Sequence, residues 1–134
     1  MTKTEAATKF RAALVQMRSG RTVDANVEEA RRLIREAARA GAEYVQTPEC
    51  TTLMEIESAK LFAATLPEDG NPALAAFVDL AREFGLWLHL GSMAIKLRPD
   101  KIANRAYLIA PTGQITARYD KIHMFDVDLD RRRT

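Results

Sequence analysis

The sequence contains few of the residues that build disulfide frameworks, metal centres or membrane spans. One cysteine and two histidines among 134 residues exclude an internal disulfide and do not supply a closed set of metal ligands. No apolar run approaches the roughly 20 residues that a transmembrane helix needs. Repeats and low-complexity segments are also lacking. These absences favour one globular domain without a metal or other cofactor, and we expect it in the cytoplasm.

Charge of one sign is lacking as well. The 20 basic and 18 acidic residues give a formal net charge of +2 and divide evenly between the two halves of the chain. The one basic cluster, Arg131 to Arg133, lies at the extreme C-terminal end, where a solvated terminus is the simplest interpretation. We therefore expect neither a nucleic acid nor a membrane as a partner.

Hydrophobic periodicity predicts that strands and helices alternate. Strands are predicted over 10–17, 43–49, 86–95, 103–110 and 114–121, the last two forming a hairpin around 111–113. The first is apolar on both sides, which is typical of a strand covered by helices on both faces. Two main helices are predicted, one capped by Asp24 and ended by Gly41, the other beginning after Asn71 and ending at Gly85. Between them, residues 51–66 read as a loop with a short helix. The pattern predicts an α/β fold with a mixed sheet of about five strands.

Two charged residues follow predicted strands at positions where α/β proteins bind ligands. Glu49 comes directly after the second strand, and Lys121 ends the second strand of the hairpin. Side chains at the carboxyl ends of parallel strands converge on one edge of a sheet. Taken singly, however, Glu49 reads as a solvated loop carboxylate and Lys121 as a surface lysine beside Asp120.

Several segments in a fixed order carry a resemblance to a known family. They are "ALVQM", "AARAGAEYV", "PE", "GS" and "NRAYLIAPTGQITARYDKIHMFD". Together they resemble the N-terminal half of the carbon-nitrogen hydrolase, or nitrilase, family, from about Phe10 to Asp128. The resemblance implies half of an α-β-β-α sandwich. It also implies hydrolysis of a non-peptide carbon-nitrogen bond in a small-molecule amide, or less commonly a nitrile, by a Glu, a Lys and a Cys.

The same resemblance implies roles for individual residues. Glu49 matches the general base and Lys121 the cationic stabiliser, whereas Asn104 and His123 match structural positions. No cofactor is implied, and the complete family domain is expected to form a homo-oligomer through its sandwich faces.

The nucleophilic cysteine of the family lies a few tens of residues after the lysine, and this sequence ends before such a segment. After "FDVDL" it reads "DRRRT", which we interpret as a truncation or a change of reading frame near Asp130. We therefore expect residues 1–134 to be a partial domain that lacks the cysteine segment and is inactive alone. If the second strand continues through Glu49 and Cys50, their side chains point to opposite faces. That geometry favours a packing role for the Cys50 thiol, and only a sharp turn after Pro48 would break it.

Two other functions compete with this one. A non-catalytic remnant could keep only a folding or interaction role. A doubly wound binding module would need a glycine-rich phosphate loop after the first strand, and "QMRSGRT" does not supply one. Half of a sandwich should also leave an apolar sheet face open to solvent, so we expect the isolated chain to be marginally stable or to associate.

Overall fold

Three helices and a five-stranded sheet make up the computed structural model, which describes residues 9–122. The elements are β1 (Ala12–Leu14), α1 (Val23–Arg39), β2 (Tyr44–Gln46), α2 (Ser58–Ala64), α3 (Pro72–Phe84), β3 (Trp87–Arg98), β4 (Lys101–Ile109) and β5 (Ile115–Asp120). The predictions that concern His123 and the tail around Asp130 lie outside the described residues. Among the residues described, no helix is long and apolar enough to cross a membrane.

The sheet has the strand order β1-β2-β3-β4-β5. β1, β2 and β3 run parallel, as the intervening helices require, and β3, β4 and β5 are joined as antiparallel hairpins. Gly113 has a φ of +86° in the turn before β5, a backbone angle that glycine adopts without steric cost. The mixed five-stranded α/β fold predicted from the sequence is confirmed.

Local sequence explains where the two long helices begin and end. The Asn71 side chain accepts hydrogen bonds from the amides of Ala73 and Leu74, which stabilises the start of α3 by about 1 kcal/mol. At the C-terminal end of α1, Gly41 has a φ of +93°, and the Ala42 amide donates a hydrogen bond to the carbonyl of Ala37. This pair of features is the Schellman ending that a glycine after the last turn predicts.

The start of α1 differs from the prediction. Thr22 occupies the N-cap position and its side chain makes no capping hydrogen bond, while Asp24 lies inside the first turn. The predicted capping role of Asp24 is therefore wrong. Its carboxylate still lies at the positive end of the helix dipole, which is a favourable position for an acidic side chain.

The two faces of the sheet have different environments. One face packs against α1 and α3 around a core that includes Ile34, Phe77, Val45, Leu88 and Ile109. The opposite face is largely uncovered in the described structure: Leu14 is 76% exposed, Trp87 40% and Tyr119 59%. The prediction that β1 is covered by helices on both faces is wrong: Leu14 lies on this open face, whereas Ala13, Val15 and Met17 pack against the core.

Candidate active site

Glu49 follows β2 and Lys121 follows β5, and the carboxyl ends of these two strands lie at the same end of the sheet. β2 is parallel to β3, and β5 is antiparallel to β4, which is antiparallel to β3. β2 and β5 therefore point the same way, but β3 and β4 separate them by about 14 Å at the usual strand spacing. Since a lysine side chain cannot span that distance, the segment after β2 must cross the end of the sheet to bring the two charges together.

A compact turn from Thr47 to Thr51 makes this crossing, held by the buried hydroxyls of its two threonines. Thr51 Oγ1 donates to the carbonyl of Pro48 over 2.7 Å and lies 2.7 Å from Thr47 Oγ1. Because the one proton of Thr51 is used on Pro48, Thr47 is the donor between the two hydroxyls. Thr47 Oγ1 in turn accepts from the Gly91 amide over 3.2 Å. The hydroxyls thus fix the turn that carries Glu49.

Ser92 in β3 binds the far side of the same turn. Its Oγ accepts from the Cys50 amide and its carbonyl from the Thr51 amide, each over 2.9 Å. The register between β3 and β4 shifts at this level, between Leu90 and Met93. Such an irregularity is typical of a strand that redirects its polar groups beside a site.

Gly91 allows the turn to lie directly against β3. A Cβ atom at this position would be 2.5 Å from both the carbonyl carbon and the carbonyl oxygen of Pro48. It would also overlap the carbonyl oxygen of Thr47. Close backbone approach is one of the few reasons for glycine inside a strand. The "GS" pair, Gly91 and Ser92, therefore shapes the support beneath Glu49.

The result is a direct contact between the two predicted site residues. Lys121 Nζ donates to Glu49 Oε1 over 2.8 Å, a charge-assisted hydrogen bond between residues 72 positions apart. The side chains are 59% exposed for Glu49 and 33% for Lys121. The Lys121 amide bonds to the carbonyl of Asn104 over 2.9 Å, which continues the β4–β5 ladder by one residue. A carboxylate and an ammonium thus lie side by side at an open sheet edge.

Cys50 does not continue β2, so the condition attached to the prediction for its thiol is not met. β2 ends at Gln46, and Cys50 has a φ of +53°, so its backbone turns sharply. Strand alternation therefore does not set the Glu49 and Cys50 side chains on opposite faces. The half-buried thiol lies near both charges: desolvation, followed by the negative charge of Glu49, raises its pKa, and Lys121 opposes this in part. A thiol with a raised pKa is a poor nucleophile at neutral pH.

A separate cavity lies away from the Glu49–Lys121 pair. It has a volume of about 590 Å³ and lies on the helical side, between the starts of α1 and α3 and the end of α2. Neither Glu49 nor Lys121 lines it. Between residues 9 and 122, no three His, Cys, Asp or Glu side chains are grouped as metal ligands. We base the candidate site on the pair because its chemistry is defined by the two charges in contact.

Glu49 and Lys121 were predicted from the sequence, but the groups that support them were not. Thr47, Thr51 and Ser92 are buried hydroxyl residues around the turn. A cluster of threonines on both sides of "PEC", with the "GS" pair in the next strand, was the available indication. His89 takes no part in the site: its Nδ1 lies 2.6 Å from the Tyr44 hydroxyl on the open sheet face.

Known proteins share this fold and identify the family to which the chain belongs. The model of the carbon-nitrogen hydrolase family matches residues 11–134. The deaminated glutathione amidase of Yersinia enterocolitica is 35% identical over 119 residues, which cover 87% of this chain and 41% of that protein. The omega-amidase NIT2 of Homo sapiens is 34% identical over 125 residues, 91% of this chain and 43% of that protein.

A solved structure shows the same architecture. The NitFhit protein of C. elegans superposes with a TM-score of 0.79 at 26% identity, covering 92% of this chain and 30% of that one. The chain spans about two fifths of the length of the curated relatives described above. Because the family model covers nearly the whole sequence, the chain belongs to the carbon-nitrogen hydrolase family.

Proposed function

We propose that Glu49 and Lys121 are the general base and the cationic stabiliser of a site that hydrolyses small-molecule amides. The observation that carries the proposal is the 2.8 Å contact between their side chains at the carboxyl ends of two distant strands. A structural ion pair with these exposed positions would contribute less than about 1 kcal/mol to stability. The threonine-bound turn and the close approach at Gly91 therefore make better sense as a means of presenting Glu49.

The two groups divide the chemistry of amide hydrolysis between them. The Glu49 carboxylate accepts the proton of a thiol, and the thiolate attacks the carbonyl carbon of the amide. The Lys121 ammonium stabilises the negative charge that develops on the carbonyl oxygen. When the C–N bond breaks, the proton held by Glu49 leaves with ammonia or the amine. Glu49 then activates water, which releases the acid from the thioester.

Amides are the favoured substrates because of the relatives. The proteins that match at 34–35% identity are a deaminated glutathione amidase and an omega-amidase. Both names describe amide hydrolysis in small molecules. The wider family also includes enzymes acting on nitriles, and an ammonium beside the carbonyl oxygen would equally stabilise a negative nitrogen.

The thiol is the group that this pair still needs. The raised pKa of Cys50 argues against it as the nucleophile. We place the nucleophile in the part of the family fold that lies beyond the matched two fifths of the relatives. The 134-residue chain alone should then be inactive, which is also the behaviour expected of a non-catalytic remnant. A cytoplasmic location and a homo-oligomeric complete protein stay predictions.

Supplying the remaining part of the fold tests this proposal. The chain would be joined to the C-terminal part of the Yersinia relative, and ammonia release from a panel of small ω-amides would be measured. We expect no release from the chain alone and measurable release from the joined protein. Lys121→Met should lower the rate by about 10²- to 10³-fold because a stabilising charge is lost.

Two control variants distinguish the proposed Glu49–Lys121 site from a non-catalytic remnant and from a site with Cys50 as the nucleophile. Lys60→Met removes the lysine of another Glu–Lys pair, Glu57–Lys60 at the start of α2 at 3.0 Å, and should leave the rate unchanged. Cys50→Ser should likewise retain activity in the joined protein. A folded joined protein without activity would support the remnant, and loss of activity in Cys50→Ser would make Cys50 the nucleophile.

A further inference from the structure

A network of polar side chains adjoins Lys121 but takes no direct part in the pair with Glu49. Arg105 donates to both carboxylate oxygens of Asp120, through Nε over 2.6 Å and Nη2 over 3.0 Å. Its Nη1 also lies 3.5 Å from Oε1 of Glu68, in the loop before α3. The same Glu68 oxygen accepts from the Tyr107 hydroxyl and from Arg118 Nε, each over 2.8 Å. The network therefore joins β4, β5 and the loop before α3.

Each charge in this network has a partner. Hydrogen bonds from Arg105 hold the pKa of Asp120 below its usual value. Desolvation raises the pKa of Tyr107, and the hydrogen bond to Glu68 raises it further, so its hydroxyl stays protonated as a donor. The Arg105 side chain is 16% exposed, so its bidentate pair is shielded better than a surface ion pair.

The network is placed where β5 most needs support. β5 is the edge strand of the described sheet, and five of its six residues are exposed, so apolar burial contributes little to holding it. Arg105 and Asp120 are directly opposite each other in the register, at the last rung before Lys121. The end of an exposed edge strand opens easily unless side chains hold it.

The last two residues of this ladder have different partners. Successive side chains of a strand point to opposite faces, so Asp120 and Lys121 leave the backbone in different directions. The planar guanidinium of Arg105 occupies both oxygens of Asp120, and Glu49 binds the Lys121 ammonium at 2.8 Å.

We propose that Arg105 is a positioning residue for Lys121: its bidentate pair with Asp120 fixes the end of β5 and holds the lysine ammonium against Glu49. The importance of this role for catalysis rests on the proposed function. The positioning itself can be measured without turnover, because an ammonium held by a carboxylate reacts slowly with acylating reagents.

The test measures how strongly Glu49 protects Lys121 in the 134-residue chain. Acetylation of Lys121 by acetic anhydride at pH 8 would be followed by peptide mass spectrometry, with Lys96 as the internal reference. Glu49→Gln should raise the relative acetylation of Lys121 about two- to fivefold, the range expected for a partly exposed pair. In the Arg105→Gln background the same Glu49→Gln change should have no effect, because the lysine is no longer held against the carboxylate.

Two further variants distinguish positioning from general stability. Arg98→Gln breaks an exposed Arg–Asp pair of 2.9 Å with Asp100 in the β3–β4 turn and should leave the effect of Glu49→Gln unchanged. Asp120→Asn alters a side chain that is 44% exposed, so it tests the same pair if Arg105→Gln fails to fold. It too should abolish the effect of Glu49→Gln.

A Glu49→Gln effect of the same size in folded Arg105→Gln or Asp120→Asn protein would overturn the positioning role. The outcome is separable from that of the proposed function. If Arg105 controls the protection of Lys121 but the joined protein hydrolyses no amide, the positioning stands and the hydrolase site fails. If hydrolysis depends on Lys121 and Arg105 has no effect on its protection, only the positioning fails.

Discussion

Replacing Gly91 by alanine should disrupt the turn that carries Glu49. The added Cβ would lie 2.5 Å from the carbonyl carbon and oxygen of Pro48, whereas ordinary contacts begin near 3.4 Å. The turn or β3 must therefore move apart by about 1 Å, and overpacking of this kind costs about 1–3 kcal/mol. The hydrogen bonds from Cys50 and Thr51 to Ser92 cross this contact and should weaken first.

Amide hydrogen exchange can measure the effect at the residues concerned. A cost of 1–3 kcal/mol corresponds to exchange about 5- to 140-fold faster at Cys50 and Thr51. Gly20→Ala is the matched control, because its Cβ would meet only the Asn26 side chain, at 4.0 Å. That variant should leave both amides as slow as in the parent. Equal exchange rates in the Gly91 and Gly20 variants would refute the argument from close approach.

Three further predictions concern acid, the thiol and the open face. Because Arg105 lowers the pKa of Asp120 in the folded chain, their pairing stabilises the fold above the ordinary pKa of about 4, and this stability is lost as pH falls through the lower folded-state pKa. The free energy of unfolding, from thermal melts between pH 5 and 3, should therefore fall less in Asp120→Asn than in the parent, by under about 1 kcal/mol. Alkylation of Cys50 by iodoacetamide at pH 8 should be slower than that of a free cysteine, faster in Glu49→Gln and slower still in Lys121→Met; an opposite order would contradict the charges assigned around the thiol. The open sheet face should make the isolated chain associate with rising concentration in analytical ultracentrifugation, and Leu14→Lys should reduce that association; a monomer that melts cooperatively at all concentrations would count against it.

Local sequence rules predicted the elements well because their causes are local. Asn71 caps the start of α3 and Gly85 its end, and Gly113 allows the turn of the β4–β5 hairpin. Each effect depends on a few neighbouring residues, so it can be inferred without knowledge of the fold. The apolar period similarly predicted α1, whose buried residues are Asn26, Val27, Ala30 and Ile34.

The sequence predictions differ from the structure where tertiary contacts determine the local conformation or the burial of a residue. Apolar residues in β1 suggested two covered faces, but an apolar pattern does not reveal whether the cover belongs to this segment of chain. The opposite orientation of Glu49 and Cys50 was expected only if the strand continued through them. The positive φ of Cys50 follows from the contacts of the turn with Ser92 and Gly91 rather than from residue type. Asp24 is a good capping residue, yet the helix begins one residue before it.

Only part of the candidate site could be predicted, because the rest depends on tertiary contacts. Glu49 and Lys121 could be chosen from their places after strands together with the family resemblance. Their contact needs a turn that crosses two strands, and that depends on Thr47, Thr51 and Gly91 acting together. Arg105 could not be assigned from sequence, because its partner Asp120 is fixed only by the register of the hairpin.

If Glu49 is the base of an amide-hydrolysing site, turnover must depend on its carboxylate. The most direct measurement is the rate of ammonia release from a saturating small amide by the joined protein carrying Glu49→Gln or Glu57→Gln. Both changes neutralise a glutamate that is paired with a lysine. We predict a loss of about 10²- to 10⁴-fold for Glu49→Gln and no loss for Glu57→Gln. Equal rates in the two variants would show that Glu49 is not the base.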